Sequence, residues 1–292
     1  MHVIIFARRN RGGCKMRFTK MHGLGNDYIF VKNMKEDLQN PAILAQKISD
    51  RHFGIGSDGL VLIMPSKVAD VRMRIFNADG SEAEMCGNAS RCVGKYIYEN
   101  GIINKERITM ETLAGIKILE LKAADGEVSA VRVDMGAPLL DAADIPVVTS
   151  KEKFIDEPVE INGKVFRITC VSMGNPHAVT FVDDVSELPL HIYGPQLENN
   201  SLFPKRTNAE FIQIISRDRI KMRVWERGSG ETMACGTGAC ASVVAAIING
   251  LCDRRVTVML PGGELLIEWN EADGHVYKTG PAVKVFDGEI EI

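Results

Sequence analysis

The chain has 292 residues, 45% of them hydrophobic and 25% charged, an ordinary composition for one large folded domain or two mid-sized ones. Its formal net charge is −3, and its Lys and Arg are too scattered for a nucleic-acid or membrane-surface footprint, so the expected partner is a small molecule.

From the N-terminus, MHVIIFARRNRGGCK sets an apolar run ahead of its basic cluster, the reverse of a secretory signal. Residues 1–15 read as a loose extension, no 18-residue apolar stretch follows, and a cytoplasmic location is expected. Asn40 as cap and Pro41 in first position start a helix through AILAQKI. Gly54, Gly56 and Gly59 (GIGSDG) have the spacing of a dinucleotide fingerprint. They follow a polar Asp50-Arg51-His52 and lead into the strand-like LVLIMP, which makes them a glycine-rich loop. After Cys86, apolar residues at Ala89, Cys92, Val93, Tyr96 and Ile97 mark one helix face, ended by Asn100-Gly101. Strand patterns follow in ITMET, IKILELK and VSAVRVD between 108 and 134, then in VEI and KVFRITCVSM around the turn Asn162-Gly163. Another strand, IKMRVW, comes before a helix from Gly236 to Ile248 that is apolar almost all round and is therefore expected to be buried. VTVML and ELLIEW are strand-like again.

Part of this pattern occurs twice. FNADGSEAEMCGNASRC (76–92) aligns with VWERGSGETMACGTGAC (224–240), matching Cys86 to Cys235 and Gly87 to Gly236, and an Asn-Gly pair follows each cysteine at the same distance. The expectation is an α/β fold (α+β-like) of two pseudo-symmetric lobes, each mostly antiparallel strands wrapped around a central helix, with the site in the cleft between lobes.

Seven cysteines in a chain without a secretory signal favour free thiols. Cys92, Cys170, Cys240 and Cys252 fit small core hydrophobes, and Cys14 lies in the tail. Cys86 and Cys235 differ, since each opens a helix and is followed by Gly in two copies of one unit. A thiol there feels the positive end of the helix dipole, which is expected to stabilise its thiolate below the free value of about 8.5. The free amides of the same turn can hold a carboxylate. Facing lobes would bring both thiols to one ligand, one removing a proton beside a carboxylate and the other supplying one from the opposite face. Metal binding is not expected, because no CxxC or HExxH occurs and the six His are dispersed.

MHGLGNDY (21–28), RHFGIGSDG (51–59), FNADGSEAEMCGNASRC (76–92), MGNPH (173–177), KRTNAEF (205–211) and ERGSGETMACGTGAC (226–240) together resemble the diaminopimelate epimerases. The resemblance extends over most of the chain from Met16 onward. It implies a pyridoxal-independent isomerase without cofactor or metal, interconverting LL- and meso-diaminopimelate for lysine and cell-wall precursor synthesis, commonly as a homodimer. It implies lobes at 16–134 plus 281–292 and at 135–280. Carried over, Cys86 and Cys235 are the acid/base thiols, and Gly87, Asn88, Gly236 and Thr237 bind the reacting carboxylate. Asn26, Asn77, Asn175, Asn208, Glu226 and Arg227 hold the remaining polar groups, with His177 and Glu226 assisting proton handling. Gly59 stands where some members carry Gln, which leaves one polar contact unmade or made by water. Two rival readings are a proline or hydroxyproline racemase, which needs no charged distal site, and a thiol redox protein, which usually carries the CxxC missing here.

Overall fold

The structure is a computed structural model that describes residues 15–292; the extension before them, Cys14 included, lies outside the described residues. In chain order the elements are β1 (Lys15–Gly23), β2 (Asn26–Lys32), α1 (Pro41–Ser49), β3 (Gly59–Met64), β4 (Val71–Asn77), β5 (Glu82–Ala83) and α2 (Gly87–Glu99). They continue with β6 (Arg107–Thr112), β7 (Gly115–Ala124), β8 (Glu127–Asp134), β9 (Glu157–Ile161), β10 (Lys164–Ser172), β11 (Pro176–Phe181) and α3 (Leu190–Glu198). The last are β12 (Asn208–Ser216), β13 (Arg219–Glu226), β14 (Gly230–Glu231), α4 (Gly236–Ile248), β15 (Arg255–Leu260), β16 (Gly263–Trp269), β17 (Val276–Gly280) and β18 (Val283–Glu291). Lys15, grouped with the tail by sequence, already pairs with Glu291 in the β1/β18 ladder.

The ladders run β18-β1-β2-β3-β4-β6-β7-β8 and then, across the β8/β17 pairing, β17-β16-β15-β13-β12-β11-β10-β9. The two halves have the same order with the same parallel steps, β2/β3 and β4/β6 in one, β11/β12 and β13/β15 in the other. All other steps are antiparallel. The β8/β17 ladder lies on the axis that relates the halves. Leu119 pairs with Val133, and the corresponding Ile267 pairs with Lys278, so Val133 and Lys278 are counterparts; they also pair with each other.

Within each half the strands alternate buried and partly exposed positions, as along β13 and β4, and the buried row faces a central helix. Helix α2 lies against β1, β2, β7 and β8, and α4 against β10, β11, β12 and β16. Ala89, Cys92, Val93 and Ile97 are buried as their spacing requires, and every residue of α4 from Gly238 to Ala246 is buried. Each buried valine there contributes roughly 1.5–3 kcal/mol. One apolar core spans α2, α4 and both halves, and separate cores lie under α1 and α3. Among the described residues no helix is long and apolar enough to cross a membrane.

One local reading differs from the structure, and one helix was not read from the sequence. Asn40 does precede α1, but with φ 48° and no side-chain cap bond, so Pro41 marks the start and the Asn supplies a left-handed turn. Helix α3 has no clear signal, because Gly194 and Pro195 lie inside it. The glycine is there for contact: a Cβ on it would stand 2.5 Å from Trp225 Cγ.

Candidate active site between the two helix starts

Cys86 and Cys235 are the N-cap residues of α2 and α4, both with extended backbone, φ −136° and −111°. The duplicated strands enter these caps in the same way, so the shells around the two thiols correspond. The spacing between Cys86 and Cys235 also relates Asn26 to Asn175, Tyr28 to His177, Gly59 to Asn208, Asn77 to Glu226, Gly87 to Gly236 and Asn88 to Thr237.

Around the first thiol, Cys86 Sγ donates to Asn26 Oδ1 at 3.4 Å, and Asn88 Nδ2 donates to the same oxygen at 3.2 Å. Asn26 is held by its own Nδ2 bond to Asp58 Oδ2 at 2.8 Å, and Tyr28 OH donates to Cys86 Sγ at 3.8 Å. Around the second thiol, Cys235 Sγ lies 3.6 Å from Thr237 Oγ1, which accepts from Asn175 Nδ2 at 3.3 Å. The chain continues from Asn175 Oδ1 to His177 Nε2 at 3.0 Å and from His177 Nδ1 to Glu210 Oε1 at 2.6 Å. His177 and Glu210 are wholly buried. Burial pushes the Glu210 carboxyl above its usual range, with the facing imidazole working against it.

The other expected residues divide into a rim and a brace. Asn208 Nδ2 donates to Pro176 O at 2.8 Å and its Oδ1 accepts from Arg227 N at 3.0 Å, tying β11 to the turn after β13. Glu226 accepts from Thr232 Oγ1 at 2.5 Å, and the exposed Arg227 donates from Nη1 to Lys205 O at 3.0 Å. The two are adjacent at the rim without bonding each other. Asn77 donates to Ser81 Oγ at 3.0 Å, a turn contact. A Cβ on Gly59 would stand 2.2 Å from Phe76 O, so the backbone of β4 occupies the room a side chain would need.

The expectation of a stabilised thiolate fails at Cys235. Only 4% of it is exposed, and burial pushes the thiol well above its ordinary range, with the charges of Glu226 and Glu210 adding to the effect. One helix turn of partial charge does not offset that desolvation. Burial likewise holds Cys92 and Cys240 up, to about 12 and about 11, as suits core thiols. All six cysteines among the described residues are free.

The glycines after the cysteines have a use that spacing alone does not show. A Cβ on Gly87 would come 2.0 Å from Lys278 Nζ and one on Gly236 2.4 Å from the same atom. A Cβ on Gly238 would come 2.6 Å from Glu210 Oε1. Two helix starts thus converge on one buried ammonium. Loops from both halves close above them: Met233 Cβ is 3.5 Å from the Cβ position of Gly25, and Gly262 packs on Leu24 O. Tyr28, Glu210 and Lys278 carried no sequence assignment. The first two lie inside the quoted motif blocks, whereas the lysine lies in none.

The diaminopimelate epimerase family model matches residues 18–140 and 169–285. Curated relatives include the diaminopimelate epimerases of Acetivibrio thermocellus, 63% identical over 95% of this chain and 99% of that protein, and of Methanococcus maripaludis, 57% identical over 95% and 100%. Among solved structures, a hydroxyproline epimerase from Agrobacterium vitis with bound trans-4-hydroxy-L-proline shares the fold, with a TM-score of 0.66, 14% identity and coverage of 94% and 91%. The family model's match over 18–140 and 169–285 and the 63% identity over 95% of the chain agree: the chain belongs to the diaminopimelate epimerase family.

Proposed function

We propose that this chain interconverts LL- and meso-diaminopimelate without a cofactor, by a two-cysteine acid/base mechanism, in lysine and peptidoglycan precursor synthesis. The observation that carries the reading is the pair of cysteines at the N-cap positions of two helices whose first residues converge on one atom. Similarity to the named relatives supplies the substrate.

In this reading one sulfur, as thiolate, removes the proton from the α-carbon and the other, as thiol, delivers a proton to the opposite face. The C–H bond breaks as one S–H bond forms, and the second S–H bond breaks as the new C–H bond forms. The carbon is inverted and the two sulfurs exchange protonation states. Amides of Gly87, Asn88, Gly236 and Thr237 at the helix starts hold the reacting carboxylate as its charge grows. Glu226 and Arg227 take the ammonium and carboxylate of the distal end, since guanidinium binds carboxylate bidentately. His177, set by Glu210, fixes Cys235 through Asn175 and Thr237. With Cys235, Asn88, Asn208 and His177 all buried, substrate entry requires the lobes to part. The working form is a cytoplasmic homodimer.

The test is deuterium uptake at the α-carbon of LL-diaminopimelate by reduced protein in heavy water, followed by chiral analysis. The reading requires meso product from the wild type and loss of turnover in Cys86→Ala and Cys235→Ala. Uptake from proline or hydroxyproline instead would transfer the assignment to a racemase, and uptake from none of them would remove it.

A further inference from the structure

Two cations are buried beside the helix starts. Arg91, one turn into α2, donates from Nε to Pro281 O at 3.0 Å and from Nη1 to Gly87 O at 3.2 Å, leaving Nη2 without a partner. Lys278 is wholly buried on β17 and its Nζ has no hydrogen-bond partner. An unpaired ammonium in an apolar interior costs several kcal/mol. The groups whose charge acts on it are Arg91 on α2, the caps Cys86 and Cys235, and Cys240 on α4. None of these is a carboxylate. Thiolates, or an anion lying between the helix starts, are the negative charges this pocket can offer.

The position follows from the duplication. Lys278 pairs across the axis with its own counterpart, Val133, and opposite residues of an antiparallel pair point to one face. A long side chain from this spot therefore reaches both helices equally. The near-equal distances to the Cβ positions of Gly87 and Gly236 reflect that.

We propose that Lys278 is a positioning residue for the two-thiol reaction: its ammonium, on the axis beneath both helix starts, favours negative charge on whichever of Cys86 and Cys235 has given up its proton. The proposal rests on the two-cysteine reading above and deepens it. The ammonium keeps its proton through the cycle, so one fixed charge serves both directions of the reaction. Burial, with Arg91 acting in the same direction, lowers the amine to about 8, while the charges of the three thiols act against that. A charge so close to release is held best when an anion is beside it.

The test uses the full reduced chain and iodoacetamide, with modification of Cys86 and Cys235 followed separately by peptide mass mapping from pH 6 to 10. In Lys278→Met, thiolate formation loses its counter-charge, and modification at pH 7.5 is expected to slow by about tenfold, with the midpoint displaced upward by about one unit. Lys278→Gln provides the same comparison in a polar side chain. Unchanged profiles at both cysteines in a folded variant overturn the assignment. Failure of both variants to fold also overturns it, since a lysine kept for its charge is replaceable by an apolar chain of like length. The assay does not need turnover. Displaced thiol profiles in a protein that epimerises nothing would sink the epimerase reading alone, and unmoved profiles in an active epimerase would sink this inference alone.

Discussion

Gly236→Ala tests the geometry under the site most directly, because its sign depends on one contact. The new Cβ would lie 2.4 Å from Lys278 Nζ, about an ångström inside ordinary contact. A lysine tail at the surface would swing aside, but this one is wholly buried, and retreat from Gly236 presses it further onto Gly87, where its Nζ already occupies the space of an absent Cβ, 2.0 Å from that position. Overpacking of this kind costs about 1–3 kcal/mol, whereas exchanging Gly for Ala in a helix returns at most about 1 kcal/mol. The net expectation is a loss of about 1–2 kcal/mol, a fall in Tm of several degrees for a chain of this size. Methionine ends at the atom corresponding to Lys278 Cε, which lies 3.4 Å from the Gly236 Cβ position, so in a Lys278→Met background the alanine fits. Urea unfolding of the four proteins of the double-mutant cycle measures the coupling, expected to be at least about 1 kcal/mol. An alanine cost that is the same in both backgrounds, or absent in the wild type, would refute the placement of Lys278 between the helices.

Three other outcomes follow from the same geometry. The Lys278 amine drops from 10.5 to about 8, so between those values the unfolded chain binds the extra proton and this residue's contribution to stability rises with pH. Lys278→Met should therefore raise Tm at pH 7, by removing a penalty on the order of 3 kcal/mol, with a gain that vanishes toward pH 10.5; an equal Tm at pH 7 contradicts this. In wild-type protein at pH 8, iodoacetamide should modify the half-buried Cys86 at least about tenfold faster than Cys235, whose thiol is raised by burial and by Glu226 and Glu210, and mass mapping would show the reverse order if the burial argument is wrong. Glu198 accepts from Trp225 Nε1 at 2.8 Å and Gly228 N at 2.9 Å, bracing the turn that carries Glu226 and Arg227. Glu198→Ala should raise KM about tenfold with little change in kcat, from the loss of buried bonds worth about 1.5–3 kcal/mol, and an unchanged KM would remove the brace from the argument.

The duplicated cysteine segments and the strands around them were legible in the sequence because their information is local. The face Ala89-Cys92-Val93-Ile97 needs only helical spacing, and the turn Asn162-Gly163 needs only two residues that accept positive φ, here 52° and 75°. Helix α3 was not legible, because its Gly194 and Pro195 argue against helix and only Trp225, far along the chain, explains the glycine. At the site, the motif blocks alone raised Asn26, Asn77, Asn175 and Asn208 above turn residues; Asn26, Asn88, Asn175 and Thr237 lie at the thiols, and the side chain of Asn77 bonds Ser81. Glu210 and Lys278 were invisible for one reason. A charged residue in a strand reads as a solvent-facing position unless its surroundings are known, and these lie on other elements: His177 and Gly238 for Glu210, Gly87 and Gly236 for Lys278.

The duplication also exposes where the halves stopped being alike. Asn77, Ala78, Tyr28 and Gly59 of the first half stand opposite Glu226, Arg227, His177 and Asn208 of the second. At these four positions the first half carries uncharged groups, and the second carries a carboxylate, a guanidinium and an imidazole. Two identical lobes would present identical thiols to a ligand, and nothing would distinguish one end of an extended substrate from the other. Burial raises the Cys235 thiol, with Glu226 and Glu210 opposing charge on it, so in the proposed reaction that sulfur is the one expected to start as thiol. With Glu226 and Arg227 on one rim only, the proposed binding of a second zwitterionic end allows one direction only. A racemase of a small amino acid needs neither inequality. An enzyme that inverts one of two α-carbons, as proposed for this chain, uses both, and the role proposed for Lys278 on the axis lets such unequal thiols draw on a single charge.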